Sequence, residues 1–362
     1  MPDYDNKNNH SPWAGNPAIK EVNIVDKYGE ISTYTLLHVG DYAFYGCKNL
    51  TKLTVESSLD LYGSVGKYAF YGCDIRELNI RTRSIGEYAF AENHNLTQVD
   101  INFTFLHQIY KGAFYKCDIK EILLPEVLTL VGDYAFAENT HLTKITFKDT
   151  SDVAPWYQAN SVDTIGAYAF YKCDIRELEL PRSVKTIGEA AFNNNQHLTK
   201  LTFINDSYDE KESRSIGRWA FAGCDIREFK IPMTLTSISD YAFTGNHNLA
   251  KVTVSDPCKL KTIGDQAFQN CSIQEFQFPK TLNAIETNAF KGNKLEKINI
   301  PAAVTGLGEG CFADNPSLKE ITVEAGNEAF TSRDAYGNEC NAIIAINKVN
   351  NDSTLRSGLI LN

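Results

Sequence analysis

The sequence predicts an α/β repeat protein, rich in β-structure, in which stacked units share one parallel sheet of about thirteen strands. Three observations carry this prediction. A phenylalanine returns at near-regular intervals, a strand-like phrase follows each return, and a cysteine or an asparagine stands three residues after each phenylalanine. Whole phrases are almost copied, since "AFYGCDIREL" begins at residue 69 and "AFYKCDIREL" begins at residue 169.

The phenylalanine column has twelve members, 20 to 34 residues apart, and this spacing is typical of a solenoid. Units this small cannot bury their own apolar face, so we expect them to stack with the phenylalanines as an internal spine. Burying one phenylalanine contributes about 1.5–3 kcal/mol, which makes the spine a large part of the stabilisation. The column is Phe44, Phe70, Phe90, Phe114, Phe136, Phe170, Phe192, Phe221, Phe243, Phe268, Phe290 and Phe312.

The strand phrase, for example Ile75-x-x-Leu78-x-Ile80, places its third residue on the outward face. Acids and bases alternate at this position along the chain, with one glutamine as an interruption. Because neighbouring strands of a parallel sheet lie about 4.8 Å apart, each glutamate should be flanked by lysines. The repeating element is therefore predicted to be a pair of units. The third-position residues are Glu21, Lys52, Glu77, Gln98, Glu121, Lys144, Glu177, Lys200, Glu228, Lys251, Glu275, Lys297 and Glu320.

The cysteine and asparagine column lies where the chain must turn and where buried backbone groups need partners. An asparagine amide supplies donors and an acceptor, whereas a cysteine is a small filler with a weak donor. Cysteines in alternate units would lie about 10 Å apart, so reduced, buried thiols are predicted rather than disulfides. Cys258 and Cys340 lie outside the column. Its members are Cys47, Cys73, Asn93, Cys117, Asn139, Cys173, Asn195, Cys224, Asn246, Cys271, Asn293 and Asn315.

Composition excludes several classes of function. The 362 residues are 43% hydrophobic and 22% charged, with a formal net charge of -10 and a pI near 5.3. This acidity argues against nucleic acid and against a polybasic membrane patch. There is no apolar run of about 18 residues, so no membrane span is predicted. The N-terminal "MPDYDNKNNHSPW" lacks the layout of a signal peptide, so either the protein is cytosolic or a signal has been removed.

The phrase "IGxxAFxxC" followed by "LxxIxLP" resembles the BspA-like class of leucine-rich repeats, known from surface proteins of anaerobic bacteria and from some protists. The resemblance covers residues 15–330. Residues 328–344, "EAFTSRDAYGNECNAII", also resemble an irregular module that follows such repeats in gut Bacteroides surface proteins. The resemblance implies a right-handed leucine-rich repeat solenoid, a secreted or cell-surface location, and adhesion or host-protein binding. It implies no enzyme and supplies no site residues.

Catalytic chemistry is not indicated. The sequence has no H-E-x-x-H, G-x-S-x-G or C-x-x-C motif and no Walker loop, so we predict neither an enzyme nor a cofactor. His94, His141, His197 and His247 recur in alternate units, too far apart to share a zinc ion. An aromatic column two residues before the spine is predicted to cover the outside of the coils, with a sugar-binding stripe as the alternative. It consists of Tyr42, Tyr68, Tyr88, Tyr134, Tyr168, Trp219 and Tyr241.

Insertions mark one edge of the repeat. The "CDIREL"-type units reach the next phenylalanine in 20 or 22 residues, whereas the alternate units take 24 to 34, except for a final step of 22. The extra residues follow the strand, so they should form a ridge of loops that carries binding. The longest insertion holds Trp156 and Tyr157, which either contact a partner or fold back over the edge. An acidic loop is expected to help through Asp206, Asp209, Glu210 and Glu212.

Three segments are predicted: an N-terminal lead at 1–14, a solenoid at 15–330, and a C-terminal cap or irregular module at 331–362. The predicted function is an extracellular protein-binding or adhesion module, monomeric, that recognises a host or partner protein such as a matrix protein. The alternative is a structural spacer without a ligand of its own. Binding predicts uneven loops with aromatic residues, whereas a spacer predicts uniform repeats.

Overall fold

The computed structural model describes residues 1–5, 10–25, 38–56, 63–101, 106–125, 127–148, 162–204, 206, 209–324, 326–327 and 360–361. The chain divides into two compact units, Met1–Val184 and Lys185–Asn362. In each unit the chain winds in coils, and a typical coil has a longer strand, a short strand and a turn around one spine residue. The predicted repeat architecture with parallel strand pairing is confirmed.

The first unit has two parallel faces. Its described strands are β1 (Glu21–Val25), β2 (His38–Val39), β3 (Lys52–Glu56), β4 (Ser64–Val65), β5 (Glu77–Ile80), β6 (Ser84–Ile85), β7 (Gln98–Asp100), β8 (Gln108–Ile109), β9 (Glu121–Leu124), β10 (Leu130–Val131), β11 (Lys144–Phe147), β12 (Thr164–Ile165) and β13 (Glu177–Leu180). The longer strands pair in the orders β1-β3-β5-β7 and β9-β11-β13. The short strands pair in the order β2-β4-β6-β8-β10-β12.

The second unit repeats this arrangement. Its described strands are β14 (Thr186–Ile187), β15 (Lys200–Phe203), β16 (Arg214–Ile216), β17 (Glu228–Ile231), β18 (Leu235–Ile238), β19 (Lys251–Val254), β20 (Thr262–Ile263), β21 (Ala284–Ile285), β22 (Lys297–Ile300), β23 (Gly306–Leu307), β24 (Glu320–Val323) and β25 (Ile360–Leu361). The longer strands pair as β15-β17-β19 and β22-β24-β25, and the short strands pair as β14-β16-β18-β20-β21-β23.

The second face differs from the single sheet that the sequence predicts. Its short strands are mostly Ile-Gly or Val-Gly segments, which read in the sequence as mere connections. They pair because glycine lets the neighbouring coil approach: the Gly86 amide donates to the Val65 carbonyl at 2.8 Å. A Cβ at Gly86 would lie only 2.7 Å from that same oxygen, so a larger residue would push the coils apart.

The phenylalanine spine is present as predicted. In the first unit successive rings stack with centroids 5.2 to 5.5 Å apart, and Phe70 and Phe90 have no exposed surface. The spine has an earlier member that the sequence analysis did not include. This member is Trp13, whose ring stacks on Phe44 with the centroids 5.5 Å apart. The spacing Trp13-x-x-Asn16 repeats the Phe-x-x-Asn of later coils, so the signal was available. The predicted N-terminal lead thus includes a spine ring.

The turn around each spine residue contains two residues with left-handed backbone, one two places before it and one two places after it. Around Phe90 these are Tyr88, with φ of 52°, and Glu92, with φ of 60°. An α-helix cannot run through such a turn, because its residues all need negative φ. Accordingly, the described residues contain no helix, and the α part of the predicted α/β repeat is not found.

The cysteine and asparagine column supplies hydrogen bonds between coils. The Cys73 thiol donates to the Phe44 carbonyl at 3.3 Å. The Asn93 amide donates to the carbonyls of Phe70 and Phe90 at 2.9 and 2.8 Å, and its oxygen accepts from the Ile75 amide at 3.1 Å. The turn that begins at Cys73 is one residue shorter than the turn that begins at Asn93, and the Ile75 amide that it leaves over is satisfied by Asn93 of the next coil. Two interactions therefore favour the alternation of coil types: hydrogen bonds to buried backbone groups and the opposite charges of neighbouring strands.

Candidate functional site

The outward face of the longer strands carries the predicted charge ladder. In the first unit Glu21 pairs in register with Lys52, and Lys52 pairs with Glu77. The Lys52 Nζ atom lies 2.7 Å from a Glu21 carboxylate oxygen, and this hydrogen bond lowers the pKa of Glu21. In the second unit Lys297 lies 2.9 Å from Glu320, and that contact raises the pKa of the lysine. The ladder is therefore a local feature of each face, with little net field.

The ladder is interrupted at β7, where Gln98 pairs with Glu77. Beyond Gln98 the sheet parts, because β7 pairs with β5 and not with β9. The two coils are joined here by hydrogen bonds from the Asp118 amide to the Leu96 carbonyl at 3.2 Å and from the Lys120 amide to the Thr97 carbonyl at 3.4 Å. A groove of about 700 Å³ lies over this part of the face, and its lining includes Glu77, Gln98 and Glu121.

The acidic loop after β15 is tied to the coils beneath it. One Asp206 oxygen lies 3.3 Å from the Arg214 guanidinium, whose side chain is only 3% exposed. The other Asp206 oxygen accepts from the Met233 amide at 2.9 Å. The Arg214 guanidinium also lies over the Phe203 ring at 5.4 Å. Both carboxylate oxygens of Asp206 are thus engaged within the protein.

A lysine from the next insertion holds the rest of the acidic loop. The Lys259 Nζ donates to the carbonyls of Asp209 and Glu212, the latter at 2.7 Å. The Lys211 amide donates to the Asp209 carboxylate at 2.9 Å, while Glu210 is exposed. The two insertions of the second unit therefore contact each other, as a ridge of loops requires. The sequence analysis missed Arg214 and Lys259, since no local pattern links them to the loop.

Trp156 and Tyr157, the predicted aromatic contacts, lie outside the described residues, as does Cys340. The structure does place their insertion between β11 and β12. This is the position that the acidic loop takes between β15 and β16 in the second unit. Both insertions thus leave a longer strand and return to a short one, and their role in binding stays a prediction.

The predicted aromatic column forms stacked rows. Tyr42, Tyr68 and Tyr88 stack with centroids 5.0 and 5.2 Å apart and interplanar angles of 15°. Partial burial raises the pKa of each of these three phenols. Because the ring faces cover one another, the row presents edges and hydroxyls outward. A sugar would need an open ring face, so this geometry favours the packing interpretation over a sugar-binding stripe.

A hydrogen-bonded row at the N-terminus contains the residue types of a hydrolytic triad. His38 lies 2.8 Å from Asp3 through Nε2 and 2.7 Å from Ser64 through Nδ1. The Met1 amino group donates to the His38 carbonyl, and the Asp41 amide donates to Asp3. These residues occupy successive rungs of the short-strand face, so the row fastens the N-terminal segment to the first two coils.

The remaining titratable residues supply no obvious chemistry. His94 contacts Glu92 at 3.1 Å, and His141 contacts Asp118. Among the described residues, no group of three His, Cys, Asp or Glu side chains is placed to hold a metal ion. The described cysteines are buried and unpaired, and burial raises the pKa of Cys224 to about 12. Such a thiol is protonated at neutral pH and is a poor nucleophile.

A family model described as the BspA type leucine-rich repeat region, in six copies, matches residues 27–143, 141–214, 163–260 and 214–343. The chain belongs to the BspA-type leucine-rich repeat family. The resemblance drawn from "IGxxAFxxC" is therefore confirmed. None of the curated proteins compared with this leucine-rich repeat chain matches it. In the part of the chain that the structure describes, no helix is long and apolar enough to cross a membrane.

Solved structures with similar folds come from bacteria. A leucine-rich repeat protein from Bacteroides ovatus is 21% identical, with 87% of this chain and 89% of that chain covered and a TM-score of 0.50. A leucine-rich cell surface protein from Faecalibacterium prausnitzii is 25% identical over 85% and 82%, with a TM-score of 0.49. The pneumococcal vaccine antigen PcpA is 21% identical over 85% and 73%, with a TM-score of 0.42. The first of these likenesses supports the leucine-rich repeat fold.

Proposed function

We propose that this leucine-rich repeat chain is an extracellular protein-binding or adhesion module that recognises a host or partner protein through its insertion loops. One observation carries the proposal: the described residues of the acidic loop are anchored, Asp206 by Arg214 and residues 209–212 by Lys259. A loop that is already ordered loses little entropy on binding, which favours affinity. The family and the surface-protein names among its structural neighbours support an extracellular place.

In this proposal the acidic residues of the loop have two roles, since one positions the loop and the others contact the partner. Asp206 positions the loop, because both of its carboxylate oxygens are used inside the protein. Glu210 faces outward, with Asp209 and Glu212 on either side of it, so these three side chains are the proposed contacts. A carboxylate-bearing loop suits a partner with a basic surface, such as a matrix protein. Charge complementarity of this kind mainly raises the association rate.

Trp156 and Tyr157 are the proposed aromatic anchors on the equivalent insertion of the first unit. Tryptophan and tyrosine supply large contact area with few rotatable bonds, which is why they are enriched at binding hot spots. The competing interpretation is that both rings fold back over the edge of the coils and contribute only to stability. The two interpretations differ in what a double substitution does to binding and to melting.

The test is the double variant W156A/Y157A, compared with wild type for binding to a panel of immobilised matrix proteins. We expect binding to weaken more than tenfold while the melting temperature stays nearly unchanged. Tyr110→Ala is the matched control, because Tyr110 is an exposed tyrosine on a coil without that insertion. A sharp fall in melting temperature with intact binding of the folded fraction would place the binding site elsewhere.

The structural spacer remains the second candidate, and the regular stacking favours it. In both units the spine rings keep a near-constant spacing, as in Phe136 to Phe170 and Phe192 to Phe221, each at 5.3 Å. A spacer needs this uniformity and no ligand. If wild-type protein binds no member of the panel at millimolar concentration, the spacer function is the one supported.

A further inference from the structure

One rung of the charge ladder in the first unit lacks a base. Lys52 stands between Glu21 and Glu77, but the rung between Glu77 and Glu121 is Gln98. The glutamine side chain is polar but carries no charge. At this position of the first unit, a neutral residue therefore stands between two acids, Glu77 on one side and Glu121 on the other.

The two acids beside Gln98 are available. Glu77 and Glu121 are exposed, and neither makes an ion pair or a side-chain hydrogen bond with the described residues. Lys52, the base on the strand next to Glu77, forms an ion pair with Glu21 instead, with its Nζ atom 2.7 Å from a Glu21 carboxylate oxygen. Gln98 pairs in register with Glu77, and paired strands lie about 4.8 Å apart, so a cation seated over Gln98 would be about 5 Å from the Glu77 carboxylate. Glu121 lines the same groove on the other side of Gln98.

The missing base coincides with the opening of the sheet. β7 does not pair with β9, and the groove of about 700 Å³ runs from β3 across β5 and β7 to the start of β9. Its lining also includes Asp100 and Asn79, whose side chains are exposed on the same face. Lys52 and Lys120 line it too, so the groove is not acidic throughout and the attraction is centred on Gln98.

We infer that this groove binds an extended segment of a protein partner whose lysine or arginine side chain sits over Gln98, between Glu77 and Glu121. The site is separate from the proposed insertion loops and does not depend on them. Side chains of an extended segment alternate between two sides, so a partner with basic residues at every second position would present them all to the face. The partner's cation would supply the charge that Lys52 supplies two rungs earlier.

The probe is an acetylated, amidated peptide of five Lys-Thr repeats with a fluorescent label, titrated with full-length protein at 50 mM salt. The deciding variant is Gln98→Lys, which restores the ladder's own base. We expect it to weaken peptide binding at least tenfold, with a comparable loss for the double variant E77Q/E121Q. A peptide of five Glu-Thr repeats should not bind.

Thr146→Lys is the matched control, because it adds the same charge on the exposed face of β11, outside the groove lining. We expect this control to bind the lysine peptide within twofold of wild type. Equal weakening by Gln98→Lys and Thr146→Lys would show attraction to net charge alone and would overturn the inference. So would failure of wild-type protein to bind the peptide at millimolar concentration. The insertion-loop variant W156A/Y157A should bind this peptide normally, which separates the two proposals.

Discussion

A single asparagine side chain satisfies three backbone groups from two coils. Asn246 donates to the carbonyls of Phe221 and Phe243, both at 2.8 Å, and accepts from the Ile226 amide at 3.1 Å. Its side chain is fully buried, so water cannot replace these partners. A cysteine at the equivalent place satisfies a single carbonyl of the preceding coil, as Cys224 does for Phe192 at 3.3 Å.

Asn246→Ala should therefore be strongly destabilising. Leaving a buried polar group without a partner costs about 1–3 kcal/mol. Among the described residues, this substitution removes the side-chain partner of the Ile226 amide and of the Phe221 carbonyl, whereas the Phe243 carbonyl keeps the Cys271 thiol. We expect a loss of about 3 kcal/mol in the free energy of unfolding, measured by urea denaturation. The control is Asn248→Ala, two residues away, because that side chain is exposed and donates a hydrogen bond to the carboxylate of Asp225 rather than to a buried backbone group. A loss equal to the control's would contradict the hydrogen-bonding role.

Buried cysteines give the protein a predictable alkaline sensitivity. Burial raises the pKa of Cys224 from an ordinary 9.0 to about 12 in the folded state. Between these values the unfolded chain releases a proton that the folded chain keeps, so stability is full below pH 9 and falls as the pH rises. At pH 10 this thiol should contribute about 1.4 kcal/mol less than at pH 8.

The measurement compares wild type with Cys224→Ala by urea denaturation at pH 8 and pH 10. Alanine cannot titrate, so the stability advantage of wild type over the variant should shrink by about 1.4 kcal/mol across this interval. Comparing the two proteins cancels the titration of lysines and tyrosines that they share. A constant difference between the proteins at both pH values would rule out the buried-thiol explanation.

For single residues, the sequence predicted the positions in the fold better than the hydrogen-bond partners. The positions of the spine and of the turn column followed from spacing, and both are confirmed. The acceptor of each thiol did not follow, because it lies on a coil 29 residues earlier in the case of Cys73. Trp13 was missed because it differs in residue type from every other spine member.

Opposite charges on the longer strands connect each coil with its neighbours. On the longer strands of the second unit, Lys251 pairs in register with Glu228 on one side and Glu275 on the other. All three positions face outward, so their interaction is exposed to salt. Cross-strand charge pairs of this type contribute about 0.2–1 kcal/mol each.

Lys251→Glu should thus place three acids in a row and cost about 1 kcal/mol at low salt. The loss should shrink at 1 M salt, where the screening length is about 3 Å. Lys230→Glu is the control, because it changes the net charge equally but pairs in register with Thr253. Equal losses for both variants in denaturant titrations would mean that overall charge, rather than the ladder, determines the effect.

The second face shows the limit of sequence reasoning for elements. A strand of two residues, such as Ser84–Ile85, is too short to show the alternation by which strands are recognised. It becomes a strand only because the neighbouring coil supplies partners. The same holds for the groove at β7, since the sequence shows that Gln98 breaks the alternation but not that the sheet opens there.

At the scale of the whole molecule, each spine ring is covered by the ring of a neighbouring coil, and the first ring that the structure describes is a tryptophan. In the first unit Trp13 covers Phe44, and its carbonyl accepts from the Cys47 thiol at 3.0 Å. Repeat proteins need such terminal units, since an uncovered spine ring would face water.

Trp13→Ala should loosen the first coils without affecting distant ones, because stability in repeat proteins is built from neighbour contacts. Hydrogen exchange measured by mass spectrometry should become at least tenfold faster in residues 38–56. Exchange in residues 209–324 should be unchanged and serves as the internal control. Uniformly faster exchange along the chain would instead indicate that the protein unfolds as one cooperative body.

For the candidate site, the sequence located the insertions but not their support. Their position after a longer strand followed from the spacing of phenylalanines. The anchoring of Asp206 by Arg214 could not follow, since it depends on which residues the coils bring beneath the loop. Charge alone predicted Asp206 as a contact, and the engagement of both its carboxylate oxygens within the protein is the reason for the supporting role proposed above.

The dependence of the Cys224 turn on Asn246 of the next coil limits how such a gene can grow or shrink. Loss of that next coil alone would leave the Ile226 amide without the oxygen of Asn246 and would bring the carboxylates of Glu228 and Glu275 together. Loss or duplication of two coils at once keeps these partners in their alternating order. Recombination between the similar phrases that begin at Cys173 and Cys224 changes the length by two coils, so it preserves the alternation on which these contacts depend.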